Sequence, residues 1–189
     1  MVNFQQYAVF LWAVVAIIWI LTAFGNKTTI KRDYSAGRFI YLLILAIAVG
    51  IIYFHVLPLS FLDKEIIPNE IVRGWTGLLI TFFSLSFTVW ARINLGKNWS
   101  GHVTLKEGHE LITTGAYSLT RNPIYTGILF AFLGDAIRLG VWRGFIGVLL
   151  LLIALLIKIR REELLLSAHF GDEYANYRKR VKAIIPLLW

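Results

Sequence analysis

The sequence predicts an all-α integral membrane protein: five transmembrane helices, the last two a helical hairpin, with a polar cytoplasmic loop and a C-terminal amphipathic tail. Three observations carry this prediction. The 189 residues are 58% hydrophobic with a mean hydropathy of +0.68, whereas an ordinary soluble domain is about 45–50% apolar. The excess lies in runs long enough to cross a bilayer, which takes roughly 20 apolar residues. The Lys and Arg residues gather in some of the connections and avoid others, as the positive-inside rule requires. Between the apolar runs lies a turn-rich island, Gly108 to Gly127, carrying His109, Glu110, Tyr117, Arg121, Asn122 and Tyr125.

Taken in order, the first span is Tyr7 to Phe24. No side-chain charge precedes it, so it reads as a span without the basic leader of a signal peptide. Lys27, Lys31, Arg32 and Arg38 follow, which puts this connection in the cytoplasm and the N-terminus outside. The second span is Phe39 to Leu62, with His55, read as a packed or interfacial histidine, and Pro58 near its far end. Asp63, Glu65 and Glu70 outnumber Lys64 and Arg73 in the next connection, which suits the outer face. The third span, Ile71 to Ile93, is rich in Gly74, Thr76, Gly77, Thr81, Ser84, Ser86 and Thr88; residues this small let helices approach closely.

Arg92 to Arg121 forms the long cytoplasmic connection, with Lys97 and Lys106 inside it. Weak alternation from His102 to Ile112 around Lys106-Glu107-Gly108 predicts a short hairpin. The run from Ile124 to Ile159 is too long for one span and is broken by Asp135, Arg138, Gly140 and Arg143, so it is read as two helices turning near Arg138 to Arg143. Gly140 and Gly144 have a small-xxx-small spacing. Lys158 to Trp189 is read as a basic tail whose apolar residues, Val181, Ile184, Ile185 and Leu187 among them, lie on the bilayer. Residues 1–189 make one domain: three N-terminal spans over 1–93, then loop, hairpin and tail over 94–189.

Composition excludes several functions. With no cysteine there is no disulfide, thiolate nucleophile, Cys-ligated zinc or iron–sulfur cluster, and no metal site is predicted. The net charge of +8 follows from cytoplasmic loops and anionic lipid rather than from nucleic-acid binding. Without a Gly-x-Gly-x-x-Gly motif or a soluble sheet-forming region, Rossmann-type enzymes are excluded.

The remaining chemistry sits in two stretches. Asn122-Pro123 suits the first positions of a helix, whose unpaired N–H groups can receive a carboxylate or phosphate. Tyr117 and Tyr125 offer aromatic faces to a nucleobase or a cation. Glu162 and Glu163 lie at a membrane boundary, where a carboxylate needs a cationic ligand or a partner such as Lys158, Arg160 or Arg161. These residue types suit a zwitterionic ligand with a positive centre, S-adenosylmethionine being one, and equally a structural helix cap with a salt-bridge cluster.

A resemblance bears on that choice. Gly108-His109-Glu110-Leu111-Ile112, Gly115-Ala116-Tyr117 and Arg121-Asn122-Pro123-Ile124-Tyr125-Thr126-Gly127 resemble the signature of the isoprenylcysteine carboxyl methyltransferase family. Glu162-Glu163, Phe170-Gly171-Asp172-Glu173-Tyr174, Tyr177, Val181 and Pro186 are similar to its C-terminal pattern. The resemblance covers about 98–186 and leaves the N-terminal spans as generic membrane helices. It implies a membrane methyltransferase that takes S-adenosylmethionine from the cytosol through a cofactor-binding loop and takes a lipophilic or prenylated acceptor from the bilayer. By position it places His102, His109, Glu110, Leu111, Ile112, Tyr117, Asn122, Pro123, Ile124, Tyr125 and Glu162 against the cofactor. Lys158 falls where the family has a substrate-binding arginine, and Arg161 or Arg160 is a second cation for the acceptor.

Two departures stand out. Asn122 replaces the family's histidine and cannot titrate; Lys158 is a point charge without the planar fork of arginine. A carboxylate acceptor is already ionised at neutral pH and needs only alignment, whereas an amine would need a base, His102 or His109. The rival functions are a phospholipid or other amine N-methyltransferase, a sterol-reductase-like oxidoreductase using NADPH, and a non-catalytic membrane protein of the same fold.

Overall fold

A computed structural model describes residues 2–23, 28–32, 36–54, 59–99, 104–106, 108 and 110–185. Five helices form a bundle: α1 (Phe4–Ala23), α2 (Ala36–Tyr53), α3 (Glu70–Leu95), α4 (Pro123–Leu139) and α5 (Trp142–Phe170); a short α6 (Asp172–Arg180) follows. Three helices are long and apolar enough to cross a membrane, over Phe4–Ala23, Glu70–Asn98 and Trp142–Phe170, and Arg38–Tyr53 is a shorter apolar helix. The outward faces of α1, α2 and α3 carry exposed Phe10, Ile17, Phe39, Leu43, Leu79 and Phe83, which suits a lipid surround.

The tightest seam joins α3 to α4. A Cβ on Gly77 would sit 2.4 Å from the carbonyl of Gly134, and one on Gly134 would sit 2.5 Å from Thr81 Oγ1. The two backbones therefore touch, and Thr81 donates its hydroxyl across the seam to the Ala131 carbonyl at 3.2 Å. Gly77 and Thr81 thus serve helix packing, as their residue types predict, whereas Thr76 and Ser86 on the same helix are exposed. The second seam joins α2 to α5 through a core of Ala48, Leu151, Leu155 and Ile159, which Leu129 of α4 completes.

The predicted helical hairpin is present between α4 and α5, with its turn at Gly140-Val141. Gly140 takes a left-handed conformation at φ 68° and ends α4 by donating its N–H to Ala136. Its role is this turn; it is Gly144 that packs between helices, against Ala136. Asp135 and Arg138 do not break α4: they lie inside it, buried, with Arg138 Nε 3.2 Å from Asp135 Oδ1. A mutually paired acid and base can remain in a helix where an isolated one could not.

Several expectations are corrected. The second span is shorter than Phe39 to Leu62, because α2 ends at Tyr53 and Ser60–Asp63 is a separate 3-10 turn. Pro58, which has no N–H to extend a helical ladder, lies in between and, like His55, falls outside the described residues. Among the described residues of 102–112, Thr104–Lys106 takes no partner from within the loop. Instead β2 (Thr104–Lys106) pairs antiparallel with β1 (Thr29–Arg32), Lys31 facing Leu105 and Arg32 facing Thr104. A strand in a loop needs a partner for its backbone groups, and the nearest one comes from the connection between α1 and α2. Arg92 is not a loop charge: it is buried in the last turn of α3, donating to the carbonyls of Thr22 and Gly96 and stacking 4.6 Å over Trp99. Lys158 lies within α5 rather than at the start of a tail. Ile184, expected on the bilayer, is 1% exposed and belongs to the protein core.

These contacts sort the bundle into two ends. At one end, Ile66 N–H donates to the Gly140 carbonyl at 2.7 Å, and Arg138 donates to Gln5 at 2.7 Å. At the other end lie the β1–β2 pair, the start of α4, the end of α5 and the tail.

Candidate functional site

At the start of α4 the chain changes from loop to helix. Pro123 occupies the first helical position, where a missing N–H costs nothing. Asn122 does not cap the helix with its side chain, as its residue type predicts; its amide donates to the Ala183 carbonyl at 3.2 Å, and its own N–H reaches the same oxygen at 3.1 Å. The tail segment after α6 is thereby strapped beside α4. Arg121 N–H donates to Lys182, and the Thr126 hydroxyl donates to the Ile184 carbonyl at 2.8 Å.

The loop before α4 is pinned from three directions. Asn94 of α3 accepts the Ala116 N–H at 2.8 Å. Tyr177 of α6 donates its hydroxyl to the Tyr117 carbonyl at 2.6 Å. Tyr117 sits in the 3-10 turn Gly115–Ser118, 7% exposed. Burial pushes its phenol well above the ordinary value, with Glu162 and then Tyr177 adding to the effect, so the ring is held neutral.

The two stretches singled out in the sequence meet here. Tyr125 Oη donates to the Glu162 carboxylate, 2.7 Å from one oxygen and 2.9 Å from the other. Lys158, one turn before Glu162 on α5, sets its ammonium 5.0 Å above the Tyr125 ring and 5.9 Å from the Tyr41 ring. Glu163 turns elsewhere: its carboxylate takes Arg121 at 2.7 Å, both side chains largely buried, with Arg178 at 3.8 Å. The adjacent glutamates therefore divide, one toward Tyr125 and one into a structural ion pair.

The other predicted residues fall around this pair. Leu111 and Ile112 are half-buried and Glu110 is exposed in the extended stretch before the turn; Ile124 and Pro123 are buried in the first turn of α4. On a helix Arg161 projects about 60° from Lys158, whereas Arg160 projects about 160° away. Arg161 is accordingly half-buried and Arg160 exposed. His102 and His109 lie outside the described residues. Tyr41, Asn94 and Tyr177 were not singled out as site residues from the sequence. Tyr41 is one aromatic among many in an apolar run and carries no local signal. Tyr177, inside the C-terminal pattern, had one, but its role as a strut under Tyr117 needs the tertiary contact.

Chemically the arrangement offers a carboxylate held by a phenol, aromatic faces that already receive an ammonium, and a helix start facing the same end. It suits a ligand with both positive and negative groups.

A family model described as phospholipid methyltransferase matches residues 72–173. Relatives include protein-S-isoprenylcysteine O-methyltransferases from Schizosaccharomyces pombe, 36% identical over 104 residues, and from Mus musculus, 31% identical over 127 residues. The first alignment takes in 52% of this chain and 43% of that protein; the second takes in 60% and 41%. A probable protein-S-isoprenylcysteine O-methyltransferase of Oryza sativa subsp. indica is 27% identical over 146 residues, 71% of this chain and 76% of its own. The chain thus spans less than half the length of the first two relatives. The matched stretch begins in α3, takes in Tyr125, Lys158 and Glu162, and ends at the start of α6; covering more than half of the chain, it shows that the protein belongs to the phospholipid methyltransferase family.

Proposed function

We propose that the protein is an integral membrane methyltransferase that transfers a methyl group from S-adenosylmethionine to the carboxylate of a lipid-like or prenylated-cysteine acceptor. The observation that carries this reading is the contact of Tyr125 with Glu162 beneath the Lys158 ammonium. It brings together two motifs 37 residues apart and builds a charged, aromatic cradle at the end of an apolar bundle. The relatives named as isoprenylcysteine methyltransferases support the same acceptor class.

The residues present fit the donor. Glu162 takes its cationic side, Tyr125 and Tyr117 its apolar and aromatic parts, and the N–H groups opening α4 its carboxylate. When bound, S-adenosylmethionine supplies a methyl group on a sulfonium, ready for in-line displacement. The chain then has to align and to exclude water, because a carboxylate acceptor is ionised at neutral pH and requires no base. Lys158, with Arg161 beside it, holds and orients that carboxylate. The strap at 181–184 and the Tyr177 strut keep the wall behind Tyr117 and Tyr125 rigid, which preserves the short approach that displacement requires. On the resemblance, His102, His109, Glu110, Leu111 and Ile112 are assigned to the cofactor wall; on the distribution of basic residues, the site is assigned to the cytoplasmic side, with five crossings and the N-terminus outside.

Isothermal titration of the detergent-solubilised protein with S-adenosylhomocysteine is the test. Binding that is lost in Glu162→Gln supports the reading, and no binding at millimolar ligand refutes it. The family model's own description favours a second reading, methylation of a phospholipid amine. Base treatment of the labelled product separates the two, since a methyl ester releases methanol and an N-methyl amine does not.

A further inference from the structure

At the end of the bundle away from Tyr125 there are two adjoining cavities. The first, about 450 Å³, runs along α1 from Gln5 through Ala8, Trp12 and Ala13 to Ala16 and is closed on the other side by Phe132 of α4. The eleven helical steps from Gln5 to Ala16 make it roughly 16 Å long. The second, about 350 Å³, is polar and is lined by Asn3, Gln5, Glu70, Arg73 and Arg138. Gln5 and Arg138 line both.

The charges around them do not balance internally. Asp135, fully buried, accepts the Trp12 indole N–H at 2.8 Å, the Tyr53 hydroxyl at 2.5 Å and Arg138 Nε at 3.2 Å. Arg138 gives Nη1 to Gln5 at 2.7 Å, and its Nη2 is buried without a partner; the side chain is only 6% exposed. A buried donor left without an acceptor is costly. Arg73 is paired with Glu65, so Glu70 is the carboxylate of the polar cavity that no ion pair neutralises among the described residues. One cavity is therefore lined by two guanidiniums and a carboxylate, and its neighbour presents a long apolar slot. In a bilayer that slot has no water to fill it.

We propose that this pair of cavities binds a zwitterionic phospholipid: the phosphate on the Arg138 guanidinium, the headgroup cation on Glu70, and one acyl chain along Ala8, Ala13 and Ala16. The site is separate from the Tyr125–Glu162 cradle, Asp135 standing ten residues, or roughly 15 Å, further along α4. A singly anionic lipid would meet Glu70 as a like charge, and a free phosphate would leave the slot empty. The bound lipid supplies Arg138 with its missing acceptor and seals α1, of whose residues only Ala8 is buried, against α4.

Native mass spectrometry of the intact detergent-solubilised chain tests this without any methyl transfer. Dioctanoyl phosphatidylcholine is the probe, with dioctanoylglycerol, phosphocholine and dioctanoyl phosphatidylglycerol as comparison arms. One phosphatidylcholine should be retained in preference to all three. Ala13→Phe, which fills the slot and touches no ion pair, should weaken retention about tenfold, and Glu70→Gln should abolish the preference over phosphatidylglycerol. Because Arg138→Gln alone strands buried Asp135, the paired change Asp135→Asn with Arg138→Gln is used, and it too should lose the phospholipid. Equal retention of dioctanoylglycerol, capture of phosphocholine alone, or wild-type retention in Ala13→Phe would each overturn the proposal.

Discussion

Glu162 and Glu163 stand side by side in the sequence and project about 100° apart on the helix. The consequence is a division of labour that mutation can separate. Glu162→Gln should weaken S-adenosylhomocysteine binding by about 1.5–3 kcal/mol, the worth of a charge-assisted hydrogen bond, with little change in thermal stability. Glu163→Gln should do the reverse, leaving binding near normal while costing about 2 kcal/mol of stability through the weakened, largely buried pair with Arg121. Titration calorimetry and thermal unfolding on the same two variants check this, and a matching pattern in both would show that the carboxylates share one role. The Glu-Glu motif and the run through Tyr125 were both recognisable as chemistry from residue type. Which glutamate meets Tyr125 depends on the rotation of α5 against α4, and rotation is a packing outcome.

The seam between α3 and α4 controls where the start of α4 sits. Gly77→Ala would drive a Cβ into the Gly134 backbone carbonyl, which cannot move without separating the helices. A loss of about 1–3 kcal/mol in thermal unfolding is expected. At Gly74 the added Cβ would meet only the ring of Phe4, so Gly74→Ala should cost less. If the two changes cost the same, close backbone contact is not what holds the seam. The tail adds a pH dependence. Burial raises the Tyr174 and Tyr177 phenols above their ordinary value of 10.0. Between that value and the folded one, the unfolded state binds fewer protons, so stability falls as pH rises. Melting curves from about pH 9 to about pH 11 should show the fall, and Tyr177→Phe should flatten it.

For the whole molecule, the two ends of the bundle are chemically distinct. The connection around Ser60–Asp63, the Gly140 turn and Gln5 share one end, held by Arg143 on Asp63 at 2.8 Å and by Ile66 N–H on the Gly140 carbonyl at 2.7 Å. The β1–β2 pair, Arg121–Glu163 and α6 share the other. With the basic connections at the second end, it is expected to face the cytoplasm. The native chain has no cysteine, so single-cysteine labelling is direct. A thiol probe should modify Ser167→Cys only from the inside and Ser60→Cys only from the outside. Labelling of both from one side would refute the five crossings and, with them, a cofactor site shared by loop and tail.

The amino-acid sequence by itself determined the class of molecule: long apolar runs cannot be solvated, positive charge prefers one side of a bilayer, and Gly, Pro and polar side chains gather where a helix must stop. It also determined the hairpin, since Gly140 between two apolar stretches offers the one backbone able to reverse there cheaply. The contacts between distant segments were decided by the tertiary structure. β2 chose β1 rather than a neighbour, Ile184 entered the core rather than the bilayer, and Asn122 bonded to the tail instead of capping α4. Arg92 and Asp135 likewise carry charges that look topogenic or disruptive along the chain and are buried and paired in space. In each case the local residue type allowed more than one partner, and the backbone and side-chain groups took whichever one packing brought within hydrogen-bonding reach.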